Sequence, residues 1–328
     1  MQGWMKRVMA IGAVIFIAMP LYAGQGDRGK PAKAWAEPAT GMEFVWVPGG
    51  CFEMGQSEKE KEDLIKEAGE EEYKKYYTDE LPRHTVCVDG FYMGKYEVTV
   101  GQWRAFVEAT GYKSEAEKEG WAYGWDKEKG WVKKEGIYWD RPGFAQADDS
   151  PVTCISWNDA VAFAAWLSKK AGKAFRLPTE AQWEYACRGG TATARYWGDS
   201  PDDACGYANV ADQSAKRVFS DWTIHECDDG YVYTSPVGHY KPNGYGLYDM
   251  LGNVWEWCAD WYGKDYYGNS PRRNPMGPAT GKCRVVRGGS WGVMPRSVRS
   301  AVRDWYRPGK RNVNLGFRLA LPSGVKEK

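Results

Sequence analysis

The run Gly246-Leu-Tyr-Asp-Met-Leu-Gly-Asn-Val-Trp-Glu-Trp-Cys-Ala-Asp-Trp261 gathers three tryptophans, two aspartates, one glutamate and two glycines into sixteen residues. It is too acidic for plain core and too aromatic for a plain loop. Asp249, Glu256 and Asp260 are hard oxygen donors. Gly252 and Asn253 permit a tight turn that aims backbone carbonyls inward, as a calcium site of about six to eight oxygens requires. Trp255, Trp257 and Trp261 then wall the site. The competing reading is a hairpin in which tryptophan alternates with polar residues across the pleat.

Working outward, the longer stretch Asn243-Gly-Tyr-Gly-Leu-Tyr-Asp-Met-Leu-Gly-Asn-Val-Trp-Glu-Trp257 resembles the signature of the formylglycine-generating enzyme, or sulfatase-modifying factor, family. Four further blocks follow the family order: Phe44-Val-Trp-Val-Pro-Gly-Gly50, Arg176-Leu-Pro-Thr-Glu-Ala-Gln-Trp-Glu-Tyr-Ala-Cys-Arg-Gly-Gly190, Arg287-Gly-Gly-Ser-Trp291 and Asn314-Leu-Gly-Phe-Arg318. The resemblance covers about residues 40–322. It implies an α+β, elaborated C-type-lectin-like fold with little regular secondary structure, as one domain over 41–322 followed by a short tail, 323–328.

The resemblance also implies two calcium sites. One takes the Asn209 side chain, the Val210 carbonyl, Asp229 and the Tyr231 carbonyl. The other takes Asp249, the carbonyls of Gly252 and Val254, and Glu256. The family's oxidases bind copper(I) through two cysteines just beyond the Gly-Gly-Ser block, because a soft ion prefers thiolate. Here those positions fall near Val293 and Val298, and no cysteine follows Cys283. Valine offers no donor atom, so copper is not expected, and whether the chain is an enzyme stays open. Met294 is a lone thioether, better suited to packing than to anchoring a metal.

What remains is a surface rich in arginine and aromatics: Ser290, Trp291, Arg296, Arg299, Arg303, Trp305, Tyr306, Arg307 and Arg311, with Trp139 on the facing segment. Arginine beside tryptophan and tyrosine is the composition of contact hot spots. The competing reading makes several of these arginines internal partners of the acidic loops. The expected occupant is a peptide, protein or glycan ligand. The same segment faces the ligand in the lectin-fold variable proteins of diversity-generating retroelements, so a diversified binder stands beside a family enzyme that modifies a protein or peptide target.

The first residues carry Lys6 and Arg7, then an apolar run over 8–19 and a small residue, Ala23, at a cleavage position. This reads as a secretory signal peptide over 1–23, too short to span a membrane, followed by a linker over 24–40. The mature chain is then secreted or periplasmic, with no membrane span. A net charge of +1 gives no steering toward nucleic acid. Eight cysteines suit an oxidising compartment. The expected pairs are Cys51 with Cys87, Cys205 with Cys227 and Cys258 with Cys283, leaving Cys154 with Cys187.

Capping boxes place three helices: from Thr99 to a stop at Gly111, from Ser156 to Gly172, and from Thr179 to Gly189. On the second, Val161, Ala164, Ala165 and Trp166 are the expected apolar face. Strands are expected on either side of Pro48 and over 84–93. The charged tract 57–77 reads as a solvated loop or helix, and the stretch 112–151 as tryptophan-rich and aperiodic.

Overall fold

The structure, a computed structural model, describes residues 34–322. The expected signal peptide and the tail 323–328 lie outside the described residues. The end of the expected linker does not behave as one. Strand β1 (Ala34–Ala36) pairs antiparallel with β2 (Glu43–Val47), setting Trp35 opposite Phe44.

The two strands about Pro48 form but enter different sheets. β2 joins a four-stranded sheet, whereas β3 (Gly50–Met54) pairs with β4 (His84–Val88) in a separate ribbon. Between them the charged tract folds into α1 (Glu58–Ala68) and α2 (Glu70–Tyr76), with Leu64, Tyr73 and Tyr77 forming a small core of their own. The alternation over 84–93 breaks at Gly90, after which β5 (Phe91–Gly94) starts beside β2. A Cβ on Gly90 would sit 2.5 Å from the Trp46 ring, so only glycine lets the chain turn there.

Helix α3 (Val100–Thr110) starts at the Thr99 cap and stops at Gly111, which is left-handed. The stretch read as aperiodic holds α4 (Glu115–Glu119) and a regular hairpin, β6 (Trp121–Asp126) with β7 (Gly130–Glu135). Its alternation is masked because Trp121, Tyr123 and Trp125 fall on the half-exposed positions of β6, while the buried positions between them hold only the small residues Ala122 and Gly124. Helices α5 (Trp157–Ala171) and α6 (Glu180–Arg188) also begin and end at their expected caps. The α5 face differs from expectation by one position: Ala160, Phe163, Ala164 and Leu167 are buried, and Val161 is exposed. Phe163 stacks on Trp103 of α3 with ring centroids 5.7 Å apart, and that contact turns the helix.

Residues 190–254 run almost entirely in turns, with α7 (Gln213–Lys216) as a single short helix. The chain then enters a second sheet of β8 (Trp255–Trp261), β9 (Arg284–Arg287), β10 (Asp304–Tyr306) and β11 (Leu315–Gly316), in the order β10-β9-β8-β11. Finally β12 (Ala320–Pro322) pairs with β5, so the end of the domain completes the sheet begun at its start. Trp255 and Trp257 carry β8 into the main core with Trp103, Phe163 and Phe317. No helix among the described residues is long and apolar enough to cross a membrane.

Cys51–Cys87 and Cys205–Cys227 are bonded as expected. Cys258–Cys283 is not, and neither is Cys154–Cys187; all four are free thiols. The reason is register. The Cys283 carbonyl accepts from the Tyr262 amide, and Tyr262 lies four residues beyond Cys258. That offset is roughly 13 Å along a strand, beyond the about 7 Å over which a disulfide reaches. Cys154 and Cys187 are buried in different clusters. Thiol titration of the unfolded, unreduced protein is therefore expected to count four thiols. A count of two would mean that one of these two arguments fails, and a count of zero that both do.

Candidate functional site

Most of the arginines expected on a ligand surface are turned inward. Arg299 donates to Glu80 at 2.7 and 3.0 Å and to Glu60 at 3.1 Å. Arg303 clasps Glu180 at 2.6 and 3.0 Å. Arg296 reaches Glu72 at 2.6 Å and the Tyr77 hydroxyl at 2.9 Å, bolting α2 to the segment after β9. Buried guanidinium groups need such partners, because an unpaired charge in the interior costs several kcal/mol. Their partners come from the charged tract, the turn just after it and α6, not from the loops expected to hold calcium. Ser290 and Trp291 are also fully buried, Ser290 accepting from Asn314 Nδ2 at 2.9 Å and Trp291 packed against Trp222, Phe219 and Tyr233. Trp139 is buried in the core, its indole donating to Glu117 at 3.1 Å.

The positions where copper thiolates would stand are side by side. A Cβ built on Gly289 would lie 3.2 Å from Val293 Cγ2 and 3.3 Å from Val298 Cγ2. Neither valine has a donor. The nearby thiol of Cys187, 3.6 Å from the Ser300 hydroxyl, is pushed up to about 12 by burial and stays protonated. These residues do not fit a thiolate-bound copper ion.

The calcium-type donor sets are better supplied. In the first, Asp229 accepts from the amides of Val210 and Tyr231, each at 2.8 Å, and burial pushes its carboxyl up to about 8. Asn209 Oδ1 is buried without a partner. In the second, the structure gives Glu256 a counter-ion of its own. Arg318 donates to both of its carboxylate oxygens at 2.7–2.9 Å, and the Trp183 indole adds a bond at 2.9 Å. Asp249 takes only the Gly238 amide, at 2.6 Å; its Oδ1 is buried and unpartnered, and burial raises its carboxyl to about 6. Beside it lies Glu97, fully buried, with an unpartnered Oε1 and a carboxyl pushed well up by burial and by Asp249. Three buried carboxylates thus share one guanidinium. Hard, unpartnered oxygens with excess negative charge fit a divalent cation, with Asp249 and Glu97 as the donors left free. Asn253 joins the two sets, its Oδ1 accepting from Asn209 Nδ2 at 3.2 Å and its Nδ2 donating to Glu97 Oε2 at 3.5 Å. Glu97 carried no signal in the sequence because it sits far upstream of the acidic run.

Trp305 and Tyr306 do line an open groove of about 510 Å³. Its opposite wall is Trp121 and Tyr123 of β6, its rim Glu115, Glu119 and Arg307, and Cys283 lies beside it. Trp305 is 45% exposed and rests on Tyr262 with centroids 5.3 Å apart. Arg311 and Lys133 lie over the Trp121 ring, at 3.7 and 3.8 Å from its centroid. Trp121 and Tyr123 were not legible as groove residues, since they belong to the β6–β7 hairpin, whose alternation the sequence masks.

A mixed fold of two small sheets, capped helices and long turns, closed by its own terminal strand, is the class of elaborated C-type-lectin-like domains. The chain matches the sulfatase-modifying factor enzyme 1-like domain over residues 30–322. It is 38% identical to the formylglycine-generating enzyme of Thermomonospora curvata, over 88% of this chain and 96% of that one. It is 36% identical to that of Streptomyces coelicolor, over 93% and 96%. Among solved structures it superposes on PvdO from Pseudomonas aeruginosa with a TM-score of 0.69 at 30% identity, covering 89% of this chain and 98% of the other. The chain belongs to the formylglycine-generating enzyme, or sulfatase-modifying factor, family.

Proposed function

We propose that this protein is a secreted, calcium-stabilised family member that receives a peptide, protein or glycan ligand in the groove between Trp121, Tyr123, Trp305 and Tyr306, without copper-thiolate oxidase chemistry. The observation that carries the reading is the adjacent pair Val293 and Val298, which leaves copper no soft donor while the groove stays open. Exposed aromatic faces next to charged rims favour recognition of a ligand with both apolar and ionic parts. The inward turn of Arg296, Arg299 and Arg303 confines the ligand surface to β10 with the loop after it and to the β6 wall.

The purified protein, supplied with copper and oxygen, is expected to convert none of a Cys-x-Pro-x-Arg peptide to the aldehyde product. Mass spectrometry of the peptide checks this, and turnover above a boiled control would overturn the reading. A second reading, modification of the bound partner by copper-independent chemistry, is favoured by the relatives named as formylglycine-generating enzymes and by the amine that lines the groove.

A further inference from the structure

We propose that Lys310 is a carbonyl-capturing amine, which holds an aromatic aldehyde in the groove as an imine. The inference rests on the groove being the ligand site. Its geometry has three parts. Lys310 lines the groove, its Nζ 2.9 Å from the Tyr123 ring centroid and 5.6 Å from that of Tyr306. Among the described residues it forms no ion pair, and two of the carboxylates near it, Glu119 and Asp304, are held by other groups. Glu119 is bound to Arg311 at 2.6 Å, and Asp304 accepts the Tyr306 hydroxyl at 2.9 Å. Third, Glu115 lines the same groove with one oxygen on Asn158 at 2.8 Å and the other, buried Oε2, unpartnered.

Lys310 is half-buried and no carboxylate bonds it, so its ammonium is poorly solvated even though Asp304 and the Tyr123 face favour the charge. Burial lowers Lys310 from 10.5 to about 8, with Asp304 opposing and Lys133 assisting. At pH 7 roughly a tenth of it is then free amine, against roughly one part in 3,000 for an ordinary lysine. A desolvated lysine of this kind is the usual nucleophile toward carbonyl carbon.

The step balances without an oxidant or reductant. The amine lone pair forms a C–N bond to the carbonyl carbon, and the carbonyl oxygen takes up a proton. The carbinolamine then loses that oxygen as water as the iminium double bond forms. Glu115 is the group in the groove able to relay the ammonium proton to the departing hydroxyl. The Trp305 and Tyr306 rings provide stacking surface for an aromatic ring, and Arg307 at the rim suits an acidic substituent.

The test uses 4-carboxybenzaldehyde at limiting concentration with cyanoborohydride at pH 7, and maps the reduced adducts by mass spectrometry. Lys310 is expected to be labelled at least tenfold faster than Lys59 and Lys74, which are about two-thirds exposed. Lys310→Arg, which keeps a cation over Tyr123, is expected to lose that adduct with an unchanged melting curve, and Trp305→Ala to slow it. Labelling of Lys59 and Lys74 as fast as Lys310 overturns the proposal. Calorimetry with benzoate on wild type and Trp305→Ala separates the two levels. Benzoate binding that depends on Trp305, without selective labelling, defeats the imine alone, whereas failure of both defeats the groove as well.

Discussion

Arg318→Met is expected to destabilise the domain by about 3–5 kcal/mol, the cost of leaving a buried carboxylate without its partner. Arg318 is fully buried and holds both oxygens of Glu256, and it also donates to the carbonyls of Tyr248 at 2.9 Å and Gly94 at 3.1 Å. It therefore ties β5, the acidic run and β8 together through one planar group. Methionine keeps much of the volume, so the loss reports charge and hydrogen bonding more than a cavity. At roughly 2–4 °C per kcal/mol, the melting temperature should fall by about 6–20 °C. Arg318→Lys is expected to fall between the two, because an ammonium keeps the charge but not the paired geometry. Lys61→Ala, which breaks an exposed pair with Glu58, serves as the control and should change little. A melting temperature for Arg318→Met equal to that of the control would show that Glu256 is neutral or otherwise satisfied.

Calcium at a hundredfold excess over its Kd is expected to raise stability by about 2.7 kcal/mol per site, seen as a rise of several degrees in melting temperature over the chelated protein. Asp229→Ala should remove the part due to the first donor set, and Asp249→Ala the part due to the second. Glu256→Ala is a poor probe of the second set, because it also strands Arg318. The two losses are expected to be non-additive, since Asn253 accepts from Asn209 on one side and donates to Glu97 on the other, so a change in one set reaches the other. Identical melting curves in chelator and in millimolar calcium would mean that Asn209, Asp249 and Glu97 are satisfied without a metal.

The parts of this fold legible in the sequence are those fixed by neighbours in the chain. Thr99, Ser156 and Thr179 accept from the amide three residues on, so α3, α5 and α6 begin where those residues say. Two disulfides were legible because each brackets one local excursion. What failed depends on distant partners. Nothing local tells Arg299 from a surface arginine; its partner Glu80 lies 219 residues away. The face of α5 is set by Trp103 across the core, and the Cys258–Cys283 pairing by an offset between β8 and β9. The groove was half legible: Trp305 and Tyr306 stand out by composition, but the wall opposite them needed the β6–β7 hairpin.

The pairing of β12 with β5 bears on how the protein is made. Synthesis runs from the amino end, so β2 and β5 exist long before the strand that completes their sheet. Glu97, Asp249 and Glu256 are likewise made before Arg318, the guanidinium that pairs with Glu256. The first sheet and the Glu256 ion pair are thus both completed by the segment 318–322, the last part of the domain to be made.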